Sequence, residues 1–264
     1  MNIIIKIFIF FIVLLLYLHI NDFLNVNNSL IINELYYVNK LNYEKICKLK
    51  NPLLIYDLHL DVSNILNHIK DKNIYLEIDG KDTLNYNEFI ELLDNDNCGN
   101  LMSINNNIND DTALFDYFKN SDFSIRPVNN LFKNYDIIIG NDKSSSFYEY
   151  NLHYRNILSI VSGSIDLILI PPKYLDNFNF SLDVNNFKYK TLIFLDELKI
   201  KKIPYKRVTL KKGDMIYIPY KWLYNIIFKE KTHIFNYSYV NSINFICNMH
   251  YYLLKNIKNN LLMK

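Results

Sequence analysis

Glu149, Asn151 and His153 alternate along one short stretch of the chain, and His233 lies on a later apolar run. If the stretch is a strand, alternate residues share a face, so these three side chains point together and opposite to Tyr150 and Leu152. A carboxylate grouped with imidazoles is a donor set for a transition metal. Asp166 is a further carboxylate nearby, expected as a solvated strand residue. Cys247 and His250 stand three apart on a helical stretch, a spacing that can share a metal, but two ligands without partners do not make a site. Lys199, Lys201, Lys202, Lys206, Arg207, Lys211 and Lys212 form a basic run without an acid. Such a run can meet anionic headgroups or a nucleic-acid backbone, and otherwise reads as a solvated hairpin. Cys47, Cys98 and Cys247 include no C-x-x-C, so neither a zinc knuckle nor a dense disulfide framework is expected. No P-loop, dinucleotide fingerprint or nucleophile elbow is present.

Composition narrows the function classes further. Lys plus Arg at 29 against Asp plus Glu at 27 gives a net charge of +2, too even for the broad basic field of a nucleic-acid binder, so no nucleic acid is expected as a partner. Half the residues are hydrophobic and 15% aromatic, which excludes a disordered chain. The 264 residues suit one large β-rich domain or two small ones. Ala113 is the only alanine and 26 lysines accompany three arginines, a bias toward Asn, Ile, Tyr and Lys that lowers the weight of any single Lys cluster.

The elements that must position these residues follow from periodicity. Residues 3–20 are apolar except for Lys6 and His19, close to the roughly 20 residues that a bilayer span needs. Residues 1–20 are read as a signal anchor or a signal peptide. His19-Ile20-Asn21-Asp22-Phe23 offers no small-residue cleavage site, which favours the anchor. Lys6 precedes the run while Asp22 and Glu34 follow it, so the expected arrangement is a membrane of the secretory pathway with the domain lumenal, or a secreted protein if the segment is cleaved. Residues 21–33 are expected as a linker. Helices are expected over residues 42–49, 61–70, 85–93 and 112–118, and strands over 52–58 and 75–78. From residue 135 the pattern turns to short strands: 135–139, 147–150, 157–161, 167–170, 190–195, 205–210, 215–218, 224–228 and 233–240. Residues 243–262 return to helical spacing. An α+β chain ending in a sandwich or barrel follows.

Two stretches within that β region carry a resemblance. Asn156-Ile-Leu-Ser-Ile-Val-Ser-Gly163, continued to Pro171-Pro172, is similar to a strand pair of JmjC-type, cupin-like oxygenases. Gly213-Asp214-Met-Ile-Tyr-Ile-Pro219-Tyr-Lys-Trp222-Leu-Tyr224 resembles the Gly-Asp…Ile-Pro…Trp-x-His turn of the same family. Asn51-Pro52-Leu-Leu-Ile55 is similar, more weakly, to its opening strand. The resemblance implies a double-stranded β-helix (cupin or jelly-roll-like) over residues 34–241, preceded by helices and strands and followed by a C-terminal helix over 242–264. Sequons at Asn27, Asn179 and Asn236 permit glycosylation of a lumenal domain.

The family's active members hold Fe(II) with a His-x-Asp/Glu pair and a distant His, and a Lys neutralises the far carboxylate of 2-oxoglutarate. The register set by Asn156 puts Tyr150 at the first His, Leu152 at the acid, Ile165 at the Lys and Tyr224 at the second His. The resemblance therefore implies a degenerate pocket, refilled by Tyr150, Leu152, Ile165 and Tyr224, with Asn156 as polar neighbour and no metal or cofactor. The expected protein is a non-catalytic binding or scaffolding module on a membrane. The alternatives are an Fe(II) and 2-oxoglutarate-dependent hydroxylase or demethylase with a site shifted to Glu149, His153 and His233, and a membrane-anchored adaptor acting through its C-terminal helix. Ile243, Ile246, Leu253 and Ile257 give residues 243–262 an apolar face suited to a homodimer.

Overall fold

The computed structural model describes residues 3–36, 39–56, 75–78, 82–94, 102–105, 118, 122–192 and 202–262. The helix expected over residues 61–70, and all but Phe118 of the one expected over 112–118, lie outside them, as do Cys98, Lys199 and Lys201.

The chain opens with α1 (Ile3–Leu24), apolar on every face and largely bare of protein contact. After β1 (Asn33–Leu35), helix α2 (Lys40–Cys47) starts at Asn39, whose side chain accepts from the Leu41 amide. The helix therefore starts before residue 42, where it was expected to begin. Strand β2 is Leu53–Ile55, and the hairpin β3 (Tyr75–Ile78) and β4 (Asp82–Asn85) leads into α3 (Tyr86–Asp94). Asn85 and Glu88 cap the start of α3 reciprocally, each side chain accepting from the other's amide. β5 (Met102–Asn105) precedes the long β6 (Phe132–Gly140).

The remaining strands are β7 (Tyr148–Asn151), β8 (Arg155–Ser162), β9 (Ser164–Ile170), β10 (Ser181–Asp183), β11 (Lys188–Thr191), β12 (Lys206–Lys211), β13 (Met215–Pro219), β14 (Leu223–Phe228) and β15 (Thr232–Val240). They fall into a nine-stranded sheet ordered β1-β2-β13-β8-β15-β6-β5-β3-β4 and a six-stranded sheet ordered β10-β11-β7-β14-β9-β12. Within these, β13-β8-β15-β6 faces β7-β14-β9-β12, and the chain changes sheet at each strand from β6 to β9 and again from β12 to β15. That is a double-stranded β-helix.

Apolar side chains fill three layers. Between the sheets lie Leu158, Ile160, Ile216 and Ile234 from one and Ile165, Leu167, Tyr224 and Phe228 from the other. On the outer face of the larger sheet, Ile157, Val161, Tyr217 and Tyr237 meet Tyr43 of α2 and Phe89 of α3. The smaller sheet carries Tyr148, Ile168 and Leu223 on its outer face. Burial on both faces explains why β8 reads as a continuous apolar run rather than an alternating one. Gly163 takes φ +79 in the β8–β9 turn, and a Cβ there would lie 2.3 Å from the Thr232 hydroxyl, so the tight turn requires glycine. Gly213, at φ 92, makes the corresponding turn before β13, where the Asp214 carboxylate accepts from the Lys211 amide.

Two expectations need correction. Residues 21–33 are not a free linker: α1 continues to Leu24, Phe23 is buried, and Leu30 and Ile32 pack against the layer between the sheets. Those apolar side chains give the segment burial that outweighs its polar composition. The C-terminal helix is broken at Asn248 into α4 (Ser242–Cys247) and α5 (Met249–Leu262), because Asn248 turns its carboxamide inward onto the carbonyls of Leu152 and Asn244.

Candidate functional site

A polar cluster interrupts the apolar filling between the sheets. Strand β7 presents Glu149 and Asn151, β14 presents Tyr224, and the added strand β11 presents Lys188. All four are buried. The Lys188 ammonium donates to the Glu149 carboxylate at 2.8 Å, the Tyr224 hydroxyl donates to the same oxygen at 2.5 Å, and the Asn151 carboxamide donates to the Tyr224 hydroxyl at 3.0 Å. Burial, and behind it the Glu149 charge, holds the Tyr224 phenol neutral, with its pKa above the ordinary tyrosine range. Burial alone would lower Lys188, but the Glu149 carboxylate keeps it above the usual lysine value.

Next to this network lies a cavity of about 170 Å³, lined by Asp136, His153, Lys188, Ser238 and Lys255, with Phe187 and Tyr252 among its apolar walls. Asp136 on β6 accepts from the carboxamides of Asn134 at 3.1 Å and Asn236 at 3.3 Å. Burial raises its pKa to about 6, partly opposed by Lys188. Burial, with the nearby Lys188 and Lys255, lowers His153 to about 3, so its imidazole is neutral. His153 Nδ1, at the cavity, and Asn151 Oδ1, Asn156 Nδ2 and Asn236 Oδ1, which do not line it, have no hydrogen-bond partner among the described residues. An unmet buried group costs about 1–3 kcal/mol.

A scan against protein-family models matches a cupin-like domain over residues 62–245, more than half of the chain. The chain belongs to the cupin-like domain family. A search of curated proteins found no match. The space between the sheets of this barrel contains the network just described.

The residues present do not fit Fe(II). A facial triad needs two imidazoles and a carboxylate with open positions. The inward positions of β7 and β14 supply a carboxylate, a carboxamide and a phenol, and an ammonium already sits on the carboxylate. Among the described residues no group of three His, Cys, Asp or Glu is arranged to hold a metal. Ile165 is fully buried between the sheets and offers no counter-charge to a 2-oxoglutarate carboxylate.

The sequence register is corrected at β7. Tyr150 does not join Tyr224: its ring packs on the outer side, stacked on Tyr189 at 5.0 Å and edge-on to Phe180 at 5.1 Å. Leu152 also lies away from Tyr224, clustered with Phe23, Phe187 and Tyr220. Strand alternation places Glu149 and Asn151 inward instead, one residue from the register counted back from Asn156. Asn156 is buried but accepts from the Ser238 hydroxyl at 3.1 Å rather than from either tyrosine. The shifted metal set is not assembled. Glu149 is engaged by Lys188 and Tyr224. His153 lines the cavity next to Phe187, and His233 lies on the other side of the larger sheet, bonded to Tyr86 and Ser162. Asp166, expected as solvated, is buried and held by Arg207, Lys229 and Thr209.

Lys188, Asp136 and Lys255 are the site residues that sequence reasoning missed. The signal for Lys188 was the alternation Lys188-Tyr189-Lys190 after the Asn185-Asn186 turn, obscured by a chain rich in lysine.

Proposed function

We propose that the protein is a membrane-tethered, non-catalytic cupin-like module that binds a small polar ligand or a protein partner through the mouth of its barrel. The observation that carries this reading is the Lys188–Glu149–Tyr224 network. It places a cation and a neutral phenol against the carboxylate that β7 turns inward, so that donor is already neutralised. The unspent His153 Nδ1 at the neighbouring cavity supports retention of a binding role. The test is metal and cosubstrate binding by the purified full chain under anaerobic conditions. Neither stoichiometric Fe(II) nor saturable 2-oxoglutarate binding is expected. One iron per chain, lost in Glu149→Gln, would overturn the reading.

The tether is α1, whose residues 3–18 are apolar except for Lys6. Lys6 before the run and Asp22 and Glu34 after it support a lumenal domain. Protease added to sealed microsomes then spares the domain, and digestion without detergent would refute that placement. A homodimer through residues 243–262 belongs to the same proposal. Leu253 and Ile257 are exposed at 55% and 57%, while Ile243 is turned into the domain.

A further inference from the structure

The foot of α1 enters the wall of a second cleft, remote in sequence from the polar cluster. Its volume is about 510 Å³, within the ~300–1,000 Å³ of small-molecule sites. Phe23 is 6% exposed, and its ring lies 4.6 Å from Tyr220 and 6.2 Å from Tyr154. The Lys50 ammonium donates to the carbonyls of Asp22 and Asn25, fastening the helix end to the domain. The apolar lining is Phe23, Val26, Pro219, Tyr220 and Ile243.

Three observations fix what such a cleft faces. The uninterrupted apolar run ends at Leu18, and His19 is the first residue of the helix to line the cleft. With α1 in a bilayer, that turn lies at headgroup level and the cleft opens beside it. The lining combines apolar side chains, Phe23, Val26, Pro219, Tyr220 and Ile243, with the basic Lys48 and Lys50, the two kinds of contact that a lipid's chain and headgroup would need. Of the two lysines that line the cleft, Lys50 is paired with Asp22, which lines it too, whereas among the described residues no carboxylate pairs with Lys48.

We infer that this cleft takes one anionic phospholipid from the leaflet in which α1 ends. Its phosphate lies by Lys48, and its upper acyl chain among Phe23, Val26, Pro219, Tyr220 and Ile243. The inference rests on the reading of α1 as a membrane tether and adds a lipid site to it.

The test uses the full chain in phosphatidylcholine nanodiscs doped with phosphatidylglycerol or phosphatidylcholine bearing a diazirine high on the acyl chain, with labelled residues located by mass spectrometry. Phosphatidylglycerol is expected to label Pro219, Tyr220 and Ile243 as well as residues 3–18, and to do so more than phosphatidylcholine. Lys48→Gln lowers that preference about fivefold, the value of one basic residue at an anionic surface. Val26→Trp fills the cleft and removes labelling at Pro219 and Tyr220 while leaving residues 3–18 labelled. Labels confined to residues 3–18 in the unaltered chain would overturn the lipid site and leave the tether standing. Equal labelling by both lipids would overturn the anionic preference, and no label even on residues 3–18 would overturn the tether and the site together.

Discussion

Lys188 and Glu149 form an ion pair in which each side chain is only 4% exposed. Removing one partner strands a buried charge, so Lys188→Met is expected to cost about 3–5 kcal/mol, while the double variant with Glu149→Leu recovers most of that loss. Urea unfolding of the single and double variants measures the difference, and a double variant as unstable as the single would refute the pairing. His153 and Asp136 give the same region an opposing pH response. His153 is depressed to about 3 in the fold, so its contribution is complete above the unfolded value of about 6.5 and is lost as pH falls toward 3. Asp136 is raised to about 6, so the fold is favoured below the unfolded value of about 3.9 and that advantage is lost as pH rises through 6. His153→Gln should therefore flatten the fall in thermal midpoint between pH 6.5 and 4, and Asp136→Asn should steepen it. Identical midpoint curves for both variants and the unaltered chain would contradict the assignment.

At the level of elements, α2 is held to the barrel by Arg155 of β8. Its guanidinium is 1% exposed and grips both oxygens of Glu44 at 3.0 Å, with a further bond to the Ile125 carbonyl at 3.2 Å. Arg155→Lys keeps the charge but loses the fork, and is expected to lower stability by about 2 kcal/mol, read from the urea midpoint. The barrel strands were legible because their apolar residues are bounded by turn chemistry: Gly163, Gly213-Asp214 and Pro219 punctuate them in the sequence where they do in space. Strands β1, β4, β5 and β10 were not, since each spans three or four residues with little apolar pattern and is set by its neighbours in a sheet. The inward side of β7 was also missed. A one-residue change of register turns every side chain to the other face, and a count carried back through the turn at His153 and Tyr154 could not fix it. Tyr224, on a strand starting directly after the Trp222 turn, was placed between the sheets as its spacing indicated.

For the whole molecule, the C-terminal helix α5 has two faces with different fates. One meets the β10–β11 hairpin, where Tyr251 and Tyr189 share a hydrogen bond at 2.7 Å and Tyr252 packs on Phe187 at 4.4 Å. The other leaves Leu253 and Ile257 exposed. Paired charge substitutions, Leu253→Glu with Ile257→Lys, are expected to turn a dimer into a monomer in analytical ultracentrifugation of the detergent-solubilised chain. A chain that is monomeric before substitution would end the dimer proposal without touching the fold. At the opposite end, α1 passes into the domain with no loose residues between them, and Phe23 and Lys50 clamp its foot. Tethered to a bilayer, the barrel then behaves as a head on a mast rather than a float on a leash. It cannot roll to present another side or reach outward for a distant target, so a partner held in the same membrane must come to it along the plane of the bilayer, and that encounter becomes a search in two dimensions.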